Sequence, residues 1–503
     1  MTRSKTPSFI TEIEIDLEVG QEKVLLTRLE VARQLYNACL GEALRRMRLM
    51  KQSKAYQAAC KLPKTVKANK KGTACRGRKP NPERTKAFAE CRAEYGFGEY
   101  DLHAYAGQVK QSWIGEHLDS LTVQKIATRA FKATMRYAVG NNGKSRFKGR
   151  NQFASVEGKT NAAGMVLRED QIRWKGLILN LIIPSDDPVI QHGLGSRVKY
   201  VRIVRRKIRG RNRFFAQLIN EGYAYQKPQN PVGNDLVGLD IGPSTIAFVT
   251  SDYADLQRFC DEVGDKEAEI ARLQRAIERQ RRLANSANYQ PDRWVKNANG
   301  NWQLKKGQIK PGRHTWVISN RMKAKQTKLS ELHRKLAAHR KSLHGALVNE
   351  ILSHGRYIKT EKLSYKAFQK MWGQSIGKRA PGEFMSQLRR KAESADGWVD
   401  EFSTRTTRLS QTCVCGTIKK KQLSDRWHIC DCGVTQQRDL FSAFLATGVE
   451  GDRLVAGMVQ KNYPGIDFVL RAAASRIKSV IGQAPPASFQ YESLNGSSAM
   501  YSA

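Results

Sequence analysis

The chain has 503 residues and a formal net charge of +41, with 87 lysines and arginines against 46 aspartates and glutamates. This length suffices for about two to four domains. The charge would repel itself in a compact chain, so it predicts a polyanionic partner, for which nucleic acid is the natural candidate. A basic protein of the membrane surface is the competing interpretation, but no long amphipathic basic helix dominates the sequence. Without an apolar run of about 18 residues or the apolar core of a signal peptide, we expect a cytoplasmic protein and no membrane partner.

The first half of the chain alternates between strand and helix patterns. Apolar and polar residues alternate over 9–19, which predicts a strand, and apolar residues recur at helical spacing over 22–50 and 118–139. Between these helices, residues 51–84 are basic, polar and poor in large apolar groups, and we expect a solvated loop there. Several strand-like runs follow over 166–225. The N-terminal strand and these later strands could close one β-barrel, with the helices inserted into it.

A short basic run with an aromatic residue inside it follows the second helix, at residues 143–150. Its basic and aromatic members are Lys144, Arg146, Phe147, Lys148 and Arg150. Cations suit contact with phosphates, and an aromatic ring suits stacking on a base. The run therefore predicts a contact with nucleic acid.

The most informative segment is 236–242, Leu-Val-Gly-Leu-Asp-Ile-Gly, in which Asp240 emerges from an apolar run typical of a buried strand. An alternating stretch over 245–250 follows it. A buried strand seldom carries an unpaired carboxylate, because removing that charge from water costs several kcal/mol. We therefore expect a metal ion or a partner residue beside Asp240.

Two long segments with helical spacing, 261–285 and 321–354, are rich in lysine and arginine. The loop between them holds Trp294, Trp302 and Trp316 among basic residues and glycines. One interpretation is a basic helical hairpin inserted in a catalytic domain. A surface coiled coil is equally compatible with the charge pattern.

Two further acids stand in similar positions later in the chain. Glu361 lies in a strand-like run over 357–363, and Asp439 opens an apolar, helix-like run over 436–446. A single acid near a strand or helix end is more often a cap or a surface charge. An ordered trio in a basic chain instead predicts convergent metal ligands. Two Mg²⁺ ions about 4 Å apart can hydrolyse a phosphodiester, and Mg²⁺ prefers oxygen ligands.

Nine cysteines are present, and their distribution separates them into two sets. Five are scattered and typical of free thiols in a reducing compartment. The other four form two Cys-x-Cys-Gly pairs: Cys413, Cys415, Cys430 and Cys432. They resemble two zinc knuckles and predict a structural Zn²⁺ site.

The spacing within each cysteine pair is unusual for such a site. Paired zinc ligands usually have two residues between them, and here there is one. In an extended backbone, this spacing points the two side chains to opposite faces, so a turn must correct their direction. His428 is close enough in sequence to replace a ligand. A hairpin held by packing, without metal, is the alternative.

Along the chain, the motifs follow the order Asp-bearing strand, Glu-bearing strand, cysteine pairs and Asp439 at a helix start. This order resembles the split RuvC nuclease of TnpB proteins and of compact type V CRISPR effectors. The similar strings are 237–242 for the first RuvC motif, 358–363 for the second, 438–439 for the third, 410–413 for the lead into the zinc ribbon and 146–148 in the N-terminal half. The resemblance covers the catalytic half well and is thinner over residues 1–230. The chain departs from the family pattern in its cysteine spacing. It also departs after Asp439, where leucine, phenylalanine and serine replace the common asparagine and small residues.

The resemblance implies a multidomain α/β fold. It comprises an RNase H-like RuvC nuclease domain, split by a helical insert and a zinc-ribbon-like module, and an N-terminal wedge β-barrel carrying a helical recognition insert. The expected boundaries are 1–20 and 150–226 for the wedge, 21–149 for the recognition insert, 235–409 for the first RuvC part with its insert at about 262–354, 410–434 for the zinc-ribbon-like module, 435–480 for the C-terminal RuvC part and 481–503 for a disordered tail.

The resemblance also implies a function, an RNA-guided DNA endonuclease in a prokaryotic, nucleoid-associated setting. Asp240, Glu361 and Asp439 would hold two Mg²⁺ ions, and the four clustered cysteines would bind Zn²⁺. The partners would be a noncoding guide RNA and double-stranded target DNA with a short motif beside the target. Two alternatives remain open: an RNA-guided DNA-binding protein that does not cut, and a transposase or resolvase that acts without RNA.

Overall fold

The computed structural model describes residues 7–67, 78–140, 143–422 and 425–476, without the side chains of 263–265 and 374. The chain divides into two compact units, Met1–Tyr225 and Gln226–Ala503. The tail predicted at 481–503 lies outside the described residues. No helix in the described part of the chain combines the length and the apolar content needed to cross a membrane.

The first unit contains nine strands and seven helices among its described residues. Its strands are β1 (Ser8–Asp16), β2 (Thr65–Lys67), β3 (Arg78–Pro80), β4 (Ser155–Glu157), β5 (Met165–Arg168), β6 (Gln171–Trp174), β7 (Leu177–Leu181), β8 (Val198–Ile208) and β9 (Arg211–Glu221). Its helices are α1 (Gln21–Gln52), α2 (Lys54–Lys61), α3 (Pro82–Glu94), α4 (Glu99–Lys110), α5 (Ile114–His117), α6 (Ser120–Ala138) and α7 (Pro188–Leu194).

Seven strands of this unit form one antiparallel sheet in the order β4-β8-β9-β1-β7-β6-β5. β5, at one edge, contacts β8 beside the other edge, so the sheet curls towards a barrel. Helices α1 to α6 lie in the chain between β1 and β4. This is the barrel-like sheet with inserted helices that the strand pattern predicted.

The segment 51–84 corrects one prediction, because the solvated loop expected there contains regular structure. It holds the end of α1, all of α2 and the short antiparallel pair of β2 and β3, whereas residues 68–77 lie outside the described residues. The hydroxyl of Ser53 accepts the N–H of Tyr56 at 3.2 Å and so caps α2. The ring of Tyr56 lies 5.2 Å from that of Phe88 on α3. The high charge of the segment indicated a loop, because the aromatic contact that stabilises α2 involves a residue outside the segment, Phe88.

The second unit is built on a central sheet with helices on both faces. Its strands are β10 (Leu236–Ile241), β11 (Thr245–Val249), β12 (Ala254–Arg258), β13 (Arg293–Lys296), β14 (Trp302–Lys305), β15 (Tyr357–Glu361), β16 (Trp398–Phe402), β17 (Trp427–Ile429), β18 (Thr435–Gln437), β19 (Val449–Glu450) and β20 (Arg453–Leu454). Its helices are α8 (Asp265–Ala284), α9 (Asn320–His354), α10 (Tyr365–Arg379), α11 (Pro381–Ser394), α12 (Thr404–Thr407), α13 (Arg438–Thr447) and α14 (Ala456–Arg476).

The central sheet has five strands in the order β12-β11-β10-β15-β16. β10, β15 and β16 are parallel, and β11 is antiparallel to both of its neighbours. Side chains alternate across a strand, and the buried apolar side chains of β10 all belong to one core. Val237, Leu239 and Ile241 pack with α9 and α11 on one face. The opposite face is covered by α13 and α14, whose apolar residues pack on β11 and β12.

Candidate active site and cysteine cluster

Asp240 and Glu361 stand at the carboxyl ends of neighbouring parallel strands. In the register of β10 and β15, Gly238 pairs with Lys359 and Leu239 with Thr360, so the two acids are the next residues on their strands. Both acids are half-buried. Leu239 faces the core that α9 and α11 cover. By alternation, the two carboxylates therefore point to the face that α13 covers.

Asp439 reaches the same place from the first turn of α13. This helix approaches β10 so closely that a Cβ added at Gly238 would overlap the carbonyl oxygen of Ala443. Ala443 is one helical turn after Asp439, and Gly238 is two residues before Asp240 on the same face. The missing side chain at Gly238 therefore allows the helix to bring Asp439 beside Asp240.

The other end of α13 is fixed by Lys359, two residues before Glu361. Its ammonium group donates to the carbonyl oxygens of Thr447 at 3.1 Å and Val449 at 2.5 Å. These are carbonyls at and just beyond the helix C-terminus, where a cation is favourable. Lys359 thus fixes the carboxyl end of the helix on the strand whose last residue is Glu361.

The start of α13 is also fixed by side chains. The amide oxygen of Gln437 accepts the N–H of Leu440 at 2.7 Å and caps the helix. The carboxylate of Asp439 has only 14% of its side chain exposed and lies 3.4 Å from Arg438 and 3.8 Å from Arg426. These cations offset part of the negative charge around the three acids.

The charges of the other two acids act on Asp240. Burial, followed by the charges of Asp439 and Glu361, raises the pKa of Asp240 well above its usual value, against the opposing effect of Arg438. Burial raises the pKa of Glu361 to about 7, although a backbone hydrogen bond at Leu409 opposes it. Crowded carboxylates of this kind are typical of functional sites, and a cation would relieve their repulsion.

The four predicted zinc ligands lie together in a separate cluster. Their sulfur atoms are all within 4.8 Å of one another, and among the described residues no other group of possible metal ligands converges as tightly. The Sγ atoms of Cys413 and Cys432 are 3.6 Å apart, and those of Cys415 and Cys430 are 3.7 Å apart. The three acids are spread more widely, so a single ion would not touch all of them without movement.

A turn corrects the one-residue spacing, as predicted. In each pair, the glycine N–H donates to the carbonyl of the first cysteine at 3.0 Å, for Gly416 to Cys413 and for Gly433 to Cys430. Both glycines have positive φ, 85° and 92°, which a residue with a side chain rarely adopts. The chain therefore folds back within each pair, and both sulfur atoms face the same centre.

His428 is not part of the cluster. Its ring packs on Phe441 of α13, with ring centroids 4.4 Å apart, and its Nδ1 contacts the Lys421 ammonium. Burial lowers the pKa of His428 to about 4. Cys413 and Val414 belong to the same core as α13. The cysteine module and the helix that carries Asp439 therefore share one packed interior.

The basic run at 143–150 belongs to the first unit, whereas the acids and the cysteine cluster belong to the second. Asn37 of α1 bonds the backbone of Lys148 on both sides, accepting its N–H at 2.8 Å and donating to its carbonyl at 2.9 Å. Phe147 is 57% exposed, and its ring lies over Gly41 of α1. The backbone is thus held while the aromatic ring stays accessible. Contact with nucleic acid by Lys144, Arg146 and Arg150, together with these two residues, stays a prediction.

Three positioning residues escaped the sequence analysis: Gly238, Lys359 and Gln437. Gly238 carried a signal, since a glycine two residues before a buried acid indicates a close backbone approach on the same face. Lys359 carried none, because its acceptors lie 88 and 90 residues later in the chain. Gln437 bonds a residue only three positions later, but glutamine is not among the residues that typically cap a helix N-terminus.

Comparison with known proteins gives one family match. Residues 382–445 match the model of the Cas12f1-like TNB domain, a stretch that includes the cysteine cluster and Asp439. No curated protein matches the chain.

Two solved structures are similar to the chain at low identity. One is a cryo-EM structure of a Cas12f1–sgRNA–target DNA complex, with 10% identity, 87% of this chain and 98% of that chain covered, and a TM-score of 0.42. The other is a cryo-EM structure of a CRISPR-Cas12f ternary complex, with 10% identity, coverage of 89% and 100%, and a TM-score of 0.28. The family match over residues 382–445 confirms the resemblance of this chain to the compact type V CRISPR effectors that its motifs predicted.

Proposed function

We propose that this chain is an RNA-guided DNA endonuclease that cuts in a single RuvC-type centre formed by Asp240, Glu361 and Asp439. One observation carries the proposal: three acids from distant parts of the chain meet on one face of a buried sheet, beneath the start of α13. The family match, which includes Asp439 and the cysteine module, supports it.

The proposal includes an assignment of domains. The mixed sheet of the second unit would be an RNase H-like RuvC domain, divided by the helical insert at about 262–354 and the zinc-ribbon-like module at 410–434. The sheet of the first unit would be the wedge, from residues 1–20 and 150–226, with the recognition insert at 21–149. The barrel-like curl of that sheet and the two-sided burial of β10 support these assignments.

Two Mg²⁺ ions fit the acid site by donor chemistry. Its donors are carboxylate oxygens, which Mg²⁺ prefers. After burial, the charges of Asp439 and Glu361 raise the pKa of Asp240, and a cation would offset that repulsion. When bound, the metal lowers the pKa of a water and stabilises charge on the leaving oxygen. Asp240 and Glu361 would hold the ions from the sheet and Asp439 from the helix. Arg438 and Arg426 lie beside Asp439 and offset part of its charge.

Zn²⁺ fits the cysteine cluster by geometry. Four sulfur atoms at about 2.3 Å from a tetrahedral zinc lie about 3.8 Å from one another, close to the 3.6 Å and 3.7 Å separations observed. The site would be structural, since all four positions are filled by protein ligands. It would stabilise the turns that pack against α13.

Guide RNA and target DNA are the proposed partners. The net charge of +41 requires a large polyanion for compact assembly, and the exposed basic run at 143–150 supplies one contact. Sequence would be read by RNA–DNA pairing, while the protein reads a short duplex motif beside the target.

The test of the nuclease centre is cleavage of a plasmid target by the chain loaded with its guide RNA, in Mg²⁺. Asp240→Asn removes a charge from the centre and should reduce cleavage by at least about a thousandfold while leaving RNA and target binding within about twofold. Glu393→Gln, an exposed acid of α11, is the matched control and should cut like the unchanged chain. An Asp240→Asn variant that still cuts would overturn the assignment.

The same preparation separates the two alternatives. If the unchanged chain binds its target but leaves the plasmid intact, the protein is a guided binder without cleavage. Sequencing of the nucleic acid that co-purifies from the native host tests the guide. A discrete small RNA supports the proposal, whereas its absence favours a transposase or resolvase that acts without RNA.

A further inference from the structure

The segment between α8 and α9, residues 285–319, contains regular structure and is not an irregular loop. β13 and β14 pair within it as an antiparallel hairpin, with Trp294 opposite Leu304 and Lys296 opposite Trp302. We call this pair of strands and its turn, residues 293–305, the tryptophan hairpin. The nuclease centre proposed above makes no use of it.

The base of the hairpin is fixed by dedicated contacts. The side chain of Asn285 bonds the backbone of Val317 twice, donating to its carbonyl at 3.0 Å and accepting its N–H at 2.7 Å. Asp292 accepts the N–H of Gly307 at 2.9 Å and pairs with Lys306 at 2.6 Å. The hairpin is therefore held in place before any ligand arrives, which lowers the ordering cost of binding.

The turn of the hairpin is fixed in the same way. The carboxamide oxygen of Asn297 accepts the N–H groups of Asn299 at 3.0 Å and Asn301 at 2.9 Å. Gly300 has a φ of 79°, which suits glycine at such a turn. Side-chain hydrogen bonds therefore fix the hairpin both at its base and at its turn.

This fixed frame presents two exposed indoles. Trp294 is 65% exposed and Trp302 is 64% exposed. Cross-strand pairing places both on one face of the hairpin together with Lys296 and Leu304. Trp294 and Trp302 are diagonal neighbours across the strands, a relation that separates residues by about 7–8 Å. Two accessible rings at that separation suit successive or adjacent unpaired bases.

The aromatic rings closer to the helices are less exposed than Trp294 and Trp302. Tyr289 is buried, with Arg282 4.4 Å from its ring centroid, and Trp316 is half-buried, with Arg281 5.3 Å from its centroid. These rings serve the packing of the segment. Trp294 and Trp302 contribute little to it, and two exposed indoles are unusual on a soluble surface without a ligand.

Charge selects the kind of ligand. Residues 285–319 contain six basic side chains and one acid: Arg293, Lys296, Lys305, Lys306, Lys310, Arg313 and Asp292. The acid is neutralised by Lys306. Lys296 lies 5.3 Å from the ring centroid of Trp302, so a cation and a stacking ring stand side by side. Rings that stack bases beside cations that meet phosphates are the general device for binding single-stranded nucleic acid.

The hairpin lies in the connection between α8 and α9, outside the strands and the helix that carry the three acids. It is therefore a surface distinct from the one at which DNA would be cut. Loops of folded RNA present splayed bases that stack on aromatic side chains, so an unpaired part of the RNA suits this surface.

We propose that the tryptophan hairpin binds unpaired bases of the guide RNA by stacking on Trp294 and Trp302. This inference rests on the proposed function and adds to it a second RNA contact, separate from the basic run of the first unit. It assigns the loop between the two basic helices a role as an anchor for the RNA scaffold.

The test measures the affinity of the full chain for two probes at one fixed salt concentration. One probe is the RNA that co-purifies with the chain, and the other is a single-stranded oligothymidylate. Trp294→Ala with Trp302→Ala should weaken RNA binding by about 10- to 100-fold. It should weaken oligothymidylate binding by a smaller factor, because that probe lacks a folded scaffold that presents splayed bases to both rings. The pair of Trp→Phe substitutions keeps two stacking rings and should stay within about threefold of the unchanged chain.

Each outcome bears on a distinct claim. Equal RNA affinity of the alanine pair and the unchanged chain would overturn the hairpin proposal and leave the nuclease proposal intact. A loss for oligothymidylate as large as or larger than the loss for RNA would reassign the hairpin to a displaced DNA strand and refute the preference for RNA. If no discrete RNA co-purifies with the unchanged chain, the guide itself is refuted, which separates that failure from the first.

Discussion

At the scale of single residues, two residues beside the acids, Gly238 and Lys359, determine where Asp439 lies. Gly238 lets α13 approach β10, and Lys359 bonds the carbonyls at the end of that helix. Each lies two residues before an acid on its strand, so each faces the same helix as that acid. The geometry of the site therefore depends on residues that touch no substrate.

Gly238→Ala tests this dependence. The added Cβ would overlap most closely with the backbone carbonyl of Ala443 in α13, so the helix must move away from β10. We expect a loss of about 1–3 kcal/mol in the free energy of unfolding and a fall in cleavage larger than that loss explains, because Asp439 moves with the helix. Thermal unfolding and plasmid cleavage measure the two effects.

Gly457→Ala, in α14, is the matched control. Nothing lies within 4 Å of a Cβ added there, and alanine favours a helix over glycine by about 1 kcal/mol. Its stability should be unchanged or raised, and its cleavage unchanged. If the two alanine variants behave alike, close packing at Gly238 does not position Asp439.

At the scale of elements, the sequence predicted those parts of the site whose signals are local. The apolar run around Asp240 predicted a buried strand, and the paired cysteines predicted a cluster that a turn must bring together. The loop expected at 51–84 was wrong, because α2 is stabilised by the contact between Tyr56 and Phe88, a residue outside its own segment. Lys359 could not be predicted, since its acceptors lie 88 and 90 residues later in the chain.

The cysteine module provides a prediction at this scale, because it shares a core with α13. Cys413→Ser with Cys432→Ser should abolish bound zinc, measured by elemental analysis of the purified chain. Because structural zinc contributes directly to folding, the module should then open, and α13 should lose part of its support. We expect a lower melting temperature and a loss of cleavage even though all three acids remain.

Cys60→Ser is the control for this experiment. Cys60 is an exposed cysteine of the first unit and lies outside the cluster. Its substitution should leave zinc content, melting temperature and cleavage unchanged. Full cleavage by the Cys413→Ser, Cys432→Ser chain would show that the module does not support the acid site.

At the scale of the whole molecule, composition predicted nucleic acid as the class of partner. The folded structure determines which basic and aromatic side chains are exposed for contact with it. The net charge of +41 indicated nucleic acid from the outset. It did not separate cations that track phosphates from rings that stack bases, since both occur in basic, aromatic segments. The structure separates them in the tryptophan hairpin, where the exposed rings lie on one face of a fixed frame.

The salt dependence of RNA binding tests this separation. Each phosphate that a lysine or arginine neutralises releases counterions, so the logarithm of the association constant falls with the logarithm of salt concentration, by about 0.7 for each contact with a single strand. Stacking releases no counterions. Trp294→Ala with Trp302→Ala should therefore lower RNA affinity at every salt concentration while keeping the slope of the unchanged chain. Lys296→Gln with Lys305→Gln should reduce the steepness of that slope, by up to about 1.4 for two lost phosphate contacts. If the tryptophan double variant shows the same reduction in slope as the lysine double variant, the rings act by positioning cations and not by stacking on bases.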